Sequence, residues 1–184
     1  MRTSNIIILI FLFIVSKNIA QEREYIVTID NDTIYGKVTR RTNLLDPSKI
    51  KFKVKDEKGN KSVFKPSDAK SIRSIKGIDG NCFIVTIYDH WFLKRIINGR
   101  IKVYNLIDGT LFFVSKNDSE IKSTDIGGIF TRKKAHSQIS PLIKDNPKIL
   151  KEFETLEGSM KNIFYIIEKY NDSVSKTIAN KTYK

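Results

Sequence analysis

The sequence predicts an α+β protein: an antiparallel β-sheet domain, either barrel or sandwich, followed by C-terminal helices. Three observations predict it. Short runs of β-branched and aromatic residues recur from Tyr25 to Val114, each closed by Asn, Asp, Gly or Pro. Counted together they imply about eight strands with short, hairpin-like links. Beyond Pro147 the apolar period lengthens from two residues to that of a helix. The organisation expected is a leader at 1–20, a β-domain at 21–116, and a linker with a helical segment at 117–184.

The leader comes first in the chain. Arg2 gives a positive start, Ile6 to Val15 is apolar without a break, and Ala20 offers a small residue for cleavage. This is the pattern of a secretory signal peptide, too short to span a bilayer comfortably. Asn18 departs from the usual small residue, which keeps an uncleaved anchor as the alternative. The expectation is export, to the periplasm, the outer membrane or the medium. Cys82 is the only cysteine, so packing without an internal disulfide must stabilise the fold. It heads the apolar run CFIVTIY and reads as a buried small hydrophobe.

The β-domain opens with EYIVTIDNDTIYGKVTR, a hairpin whose turn is Asp30-Asn31-Asp32. Gly36 in its return strand marks a bulge, a sharp bend or a close neighbour. Next, Ile50, Phe52 and Val54 alternate with Lys49, Lys51, Lys53 and Lys55, giving an apolar face inward and a lysine face outward. Ser62 to Lys65 is a short strand ended by Pro66, and Ser67 to Ile75 fits either a helical turn or a strand. Phe83 to Tyr88 is apolar on both faces and reads as a central strand.

The stretch WFLKRIINGRIKVYN, Trp91 to Asn105, organises the rest as a hairpin at Asn98-Gly99. A two-residue turn opposes Arg95 to Lys102; a three-residue loop opposes Lys94 to Lys102. Both set like charges face to face. Leu111 to Val114 adds a last strand. In the helical segment, Pro147 follows the potential caps Asp145 and Asn146. Leu150, Phe153, Phe164 and Ile167 are the expected core residues. Gly158 separates two helices, and Ser159 caps the second.

The chain carries 33 Lys and Arg against 20 Asp and Glu, a formal net charge of +13. That balance points to anionic partners. Export disfavours nucleic acid, leaving anionic lipid, with peripheral membrane contact, or acidic glycan, or an envelope protein. The candidate anionic-ligand surface is the hairpin, through Trp91, Lys94, Arg95, Arg100 and Lys102. Two histidines, His90 and His136, and one cysteine make no nucleophile–base or zinc pattern, and no phosphate or dinucleotide loop is present. No catalytic residue, cofactor or metal is therefore assigned.

Three stretches resemble a loosely defined family of exported Bacteroidota proteins to which no activity is assigned. NDTIYGKV, Asn31 to Val38, is similar to that family's N-terminal strand pair. FLKRIINGRIKVYN, Phe92 to Asn105, is similar to its central hairpin. LIKDNPKIL and IIEKYN, Leu142 to Leu150 and Ile166 to Asn171, are similar to its closing helices. Asn31 stands where the family tends to have Gly, and Asn146 where it often has Cys, which leaves Cys82 without a partner. The resemblance implies export and a β-domain with C-terminal helices, and no reaction. The function expected is a non-catalytic binding or structural module of the envelope; the alternative is a small β-barrel enzyme or a carrier of a small ligand.

Overall fold

A computed structural model describes residues 22–42, 46, 49–124 and 132–182, without the side chains of 132–133 and 176–182. The leader, part of the connection after Arg41 and the Gly127-Gly128 pair lie outside the described residues. The protein is α+β, with antiparallel strands followed by three helices. The strands are β1 (Tyr25–Thr28), β2 (Thr33–Tyr35), β3 (Lys37–Arg41), β4 (Lys51–Lys55), β5 (Lys61–Phe64), β6 (Ala69–Ser74), β7 (Cys82–Ile87), β8 (Trp91–Ile97), β9 (Ile101–Leu106), β10 (Phe112–Lys116) and β11 (Lys122–Thr124). The helices are α1 (Arg132–Ile143), α2 (Pro147–Thr155) and α3 (Met160–Thr182).

Eight strands form one sheet in the order β11-β10-β9-β8-β7-β6-β1-β2, and β3-β4-β5 form a second. The large sheet is open, with β11 and β2 at its edges, so it does not close as a barrel. Gly36 is where the chain changes sheets: β2 stays in the large sheet and β3 enters the small one. A Cβ at Gly36 would lie 2.3 Å from the Lys55 carbonyl oxygen of β4, so only glycine allows this close approach. The ambiguous stretch after Pro66 is both things in turn, a 3-10 turn over Pro66–Asp68 and then strand β6. The last strand, β11, lies in the polar stretch read as linker.

Register assigns the faces of the large sheet. Ile26, Ile72 and Ile84 pair across β1, β6 and β7, and all are fully buried. They pack with Phe92 against Val38, Phe52, Val54 and Phe64 of the small sheet. The same face continues through Val103 and Val114 of β9 and β10. There it meets Ile139 and Ile143 of α1, Phe153 of α2, and Ile163, Ile167 and Tyr170 of α3. One sheet face thus carries the small sheet at one end and the helices at the other. Phe153 and Ile167 are fully buried; Leu150 and Phe164 pack at the margin of the cluster. Helix α1 has no counterpart in the sequence expectation. Its Ala135, Ile139 and Ile143 recur every fourth residue and are fully buried, but Pro141 interrupts the pattern. Cys82 is buried, and burial pushes its thiol up.

Polar contacts join the sheets. Glu24 accepts from the N–H groups of Ile75 and Lys76 (2.7 and 2.8 Å) and of Val38 (3.0 Å), tying the strands around β1 to β3. Burial would raise the Glu24 carboxyl, but these three donors and the Lys37 charge outweigh it and hold it below the usual glutamate value. Arg40 of β3 reaches Asp108 at 2.9 Å and Asp79 at 3.3 Å, in loops of the large sheet, and its side chain is 8% exposed. Burial raises the Asp79 carboxyl even against the charges of Arg40 and Lys94. Such a buried pair costs desolvation to form, and removing one partner is more damaging still.

The Glu24 carboxyl is lowered in the folded state, so its contribution is complete above the unfolded glutamate range. It is lost as pH falls through the lower folded value. Glu24→Gln is expected to cost about 1–3 kcal/mol at neutral pH, because one amide oxygen cannot serve all three N–H groups. It should also flatten the acid limb of the stability curve. Urea unfolding from about pH 7 down to about pH 3 checks both effects, and an acid limb as steep as the wild type's would rule out this staple.

Candidate functional site

The hairpin of β8 and β9 adopts neither register expected from its sequence. Lys94 pairs with Asn105 and Arg95 with Tyr104, and the register then shifts before Ile97 meets Val103. A bulge at Ile96 and a loop through Asn98, Gly99 and Arg100 absorb the difference. Neither like-charge opposition therefore occurs. The physical reason lies in α3. Asn171 of that helix is buried beside the loop, and a Cβ at Gly99 would lie 2.4 Å from its side chain. The Ile101 N–H donates to Asn171 Oδ1 at 2.8 Å, and Asn171 Nδ2 donates to the Ile101 carbonyl at 2.8 Å. The carboxamide thus pairs with Ile101 as a neighbouring strand would.

The five nominated residues do not form one surface. Arg100 leaves the hairpin toward the helices, with its guanidinium 3.0 Å from Asp145 and Nε donating to Asn117 Oδ1 at 2.7 Å. Lys102 pairs with Asp118. Lys94 lies on the face that meets the small sheet, where Nζ donates to the Asp79 carbonyl at 2.6 Å. Trp91 and Arg95 alternate onto the opposite face, Trp91 edge-on to Tyr88. The Arg95 guanidinium stands 4.5 Å over the Phe83 ring and makes no ion pair among the described residues.

Two cavities border these groups. One, of about 660 Å³, is lined by Arg100, Asn117, Asp145, Asn146, Tyr170 and Asn171, together with residues of the following α3 turn. Its charges are consumed internally. Asp145 accepts from the Tyr170 hydroxyl (2.9 Å) and Lys116 Nζ (2.9 Å), besides pairing with Arg100. Burial would raise the Asp145 carboxyl, but the bonds from Lys116 and Tyr170 and the charges of Lys116 and Arg100 hold it low. Lys116 also donates to the Leu142 carbonyl and lies 5.0 Å over the Tyr170 ring. Asn146 caps α2 by accepting from the Ile149 N–H and donates to Ser173. This is a clasp between hairpin and helices.

The second cavity, of about 420 Å³, is lined by Tyr25, Arg73, Asn81, Cys82, Phe83 and Arg95. It lies on a row of side chains that register sets side by side across the sheet. Tyr35 pairs with Tyr25, Tyr25 with Arg73, and Arg73 with Phe83. Arg95 covers Phe83 and pairs with Tyr104, which pairs with Phe113. From Tyr25 to Tyr104, aromatic rings and guanidinium groups alternate along this face. The inner end, Tyr104 and Phe113, is buried; the outer end rises to Tyr35, 48% exposed. Tyr25 and Tyr35 meet edge to face at 5.8 Å. Arg73 is held from behind, donating to the Cys82 carbonyl at 3.1 Å, and its outer nitrogen meets the exposed Glu22 carboxylate at 2.6 Å. The sequence expectation contained Arg95 but not Arg73, Phe83, Tyr25 or Tyr35. Only the pairing of five separate strands brings them together.

Elsewhere the reactive side chains are dispersed. His90 sits in an exposed turn with Nδ1 2.6 Å from the Tyr88 carbonyl, and His136 stacks on Phe153 at 4.3 Å. Among the described residues no three His, Cys, Asp or Glu side chains group as metal ligands would.

Asn171→Leu is expected to destabilise the protein by about 2–4 kcal/mol, since it leaves both buried polar groups of Ile101 without partners. Amide exchange at Ile101 should quicken with it. Exchange measured residue by residue, alongside urea unfolding, checks this; a protected Ile101 amide in the variant would contradict the clasp.

In comparisons with family models, curated proteins and solved structures, nothing matches this chain.

Proposed function

We propose that the protein is an exported, non-catalytic binding module of the cell envelope that holds an acidic glycan against the arginine–aromatic row. The observation that carries this reading is Arg95, a guanidinium set over Phe83 at 4.5 Å beside a cavity, with no carboxylate paired to it among the described residues. Arg73 lines the same cavity, and the exposed Glu22 carboxylate occupies the position that a ligand's acid group would take. Tyr25, Tyr35 and Phe83 offer ring surface against which the apolar faces of sugar rings lose water. Guanidinium forks pair with carboxylates in two-point geometry, so uronic acid groups suit the site. The residues that could do chemistry support binding over catalysis: the Cys82 thiol is buried and pushed up, and the two histidines lie in unrelated places. Export rests on the leader pattern of the first twenty residues.

A second reading, a carrier of a small polar ligand, has the cleft of about 660 Å³ in its favour. A ligand there must compete with the mutual pairing of Arg100, Lys116 and Asp145.

Titration calorimetry with acidic and neutral oligosaccharides tests the leading reading. Arg95→Ala is expected to weaken acidic oligosaccharide binding about 10- to 100-fold, the weight of one charge-assisted contact, while leaving the fold intact. Equal affinity for acidic and neutral sugars, or wild-type affinity in Arg95→Ala, would discard it. Loss of binding in Arg100→Ala alone would move the site to the cleft.

A further inference from the structure

The outer face of the small sheet has a charge arrangement that packing does not explain. Its core face holds Val38, Phe52, Val54 and Phe64. On the opposite face, register places Lys37 beside Lys55 and Lys55 beside Lys61, so three lysines stand in line across three strands. Arg41 faces Lys51 on the same side, and Lys53 lies between Thr39 and the exposed Val63. Like charges directly opposite one another destabilise a sheet. Among the described residues none of these cations makes an ion pair. Of the nearby acids, Glu24 feels the Lys37 charge but is bonded to the N–H groups of Val38, Ile75 and Lys76, and the others are engaged elsewhere: Glu57 with Arg23 at 3.5 Å, Asp56 with Asn60, and Asp46 with Lys49 at 3.2 Å. Protection of sheet edges accounts for lysines on β3 and β5. It does not account for those on β4, which is paired on both sides.

From this face we infer a docking surface for an anionic lipid bilayer. Charge complementarity selects an anionic partner, and the chemistry of the cations selects a membrane. All but one are lysines, hydrated point charges that attract a field of headgroups without the two-point geometry by which arginine reads a single group. Neighbouring strands are about 4.8 Å apart and alternate residues about 6.8 Å apart, so the cations form a regularly spaced array across the three strands. The exposed Val63 sits among them, able to reach the headgroup boundary. This surface shares no residue with the arginine–aromatic row, so failure of glycan binding leaves it standing.

Vesicle co-sedimentation tests it, with the protein in the form recovered from expressing cells. The vesicles are pure phosphatidylcholine or contain roughly 30% phosphatidylglycerol, at about 0.05 and 0.3 M salt. The quantity read is the excess of binding to anionic over neutral vesicles, which removes any contribution from an apolar leader. Lys55→Glu is expected to lower that excess roughly 10- to 30-fold, since it removes one positive charge and adds a negative one. It should also raise Tm by about 2–5 °C, because the new carboxylate would stand between Lys37 and Lys61. Weaker binding in a more stable protein cannot come from unfolding. Lys61→Glu, on the edge strand, repeats the test should the first variant fold poorly. Equal binding to the two vesicle types, or an unchanged excess in both folded variants, would overturn the inference. So would preferential, lysine-dependent binding of a soluble acidic polysaccharide or oligonucleotide that displaces the vesicles.

Discussion

The pairing of Asn171 with the backbone of Ile101 is the contact on which the joining of sheet and helices turns. A hairpin needs its first strand residue paired, and β9 begins where β8 has already bulged away. Water could satisfy Ile101, but both Ile101 and Asn171 beside it are buried. An unmade hydrogen bond there costs more than a made one contributes. Asn171 resolves this with a single carboxamide, which offers a donor and an acceptor at the spacing of a peptide group. The consequences spread outward. Gly99 must lack a side chain, the hairpin register must bulge, and Arg100 pairs with Asp145 while its side chain stays accessible to solvent. Asp145 in turn gathers Lys116 and Tyr170, so the charges around the loop are spent on architecture.

A second constraint acts at the other end of the sheet. The chain leaves β2 for a separate small sheet within one residue, at Gly36, and the two sheets must then stay in register. Apolar packing is non-directional and fixes proximity without orientation. Orientation comes from Glu24, whose carboxylate reads three N–H groups, and from Arg40, which spans two acidic loops. Both contacts cost desolvation. They distinguish one arrangement of the sheets from others that would bury the same apolar area.

Once these joints have taken their share of the charge, what remains unpaired is informative. Arg95 and the lysines of the small sheet's outer face carry positive charge with no ion-pair partner among the described residues. They lie on different faces and present different chemistry. One is a guanidinium among rings at a cavity; the other is a field of ammonium groups spread across three strands. The basic charge is therefore partly structural and partly left without ion pairs among the described residues.

Much of the architecture was legible in the residues, because local patterns are short-range. Alternation at Ile50 to Lys55 specified a half-buried strand, Gly36 a break, Asn146 and Ser159 helix caps, and the apolar stripe of α3 its buried face. Helix α1 was hidden by Pro141, and the hairpin register by a helix residue 70 positions away in the chain. The candidate site was the least legible part. Of its row the sequence singles out only Arg95, since Tyr25, Arg73, Phe83 and Arg95 belong to four strands whose neighbours are chosen by sheet order. By itself, then, the sequence determined the α+β class, the strand and helix periods and the excess of positive charge, all properties of short segments. Only the tertiary structure decided the sheet order, the bulged register and which cations stay unpaired. Those depend on groups far apart in the chain competing for the same partners.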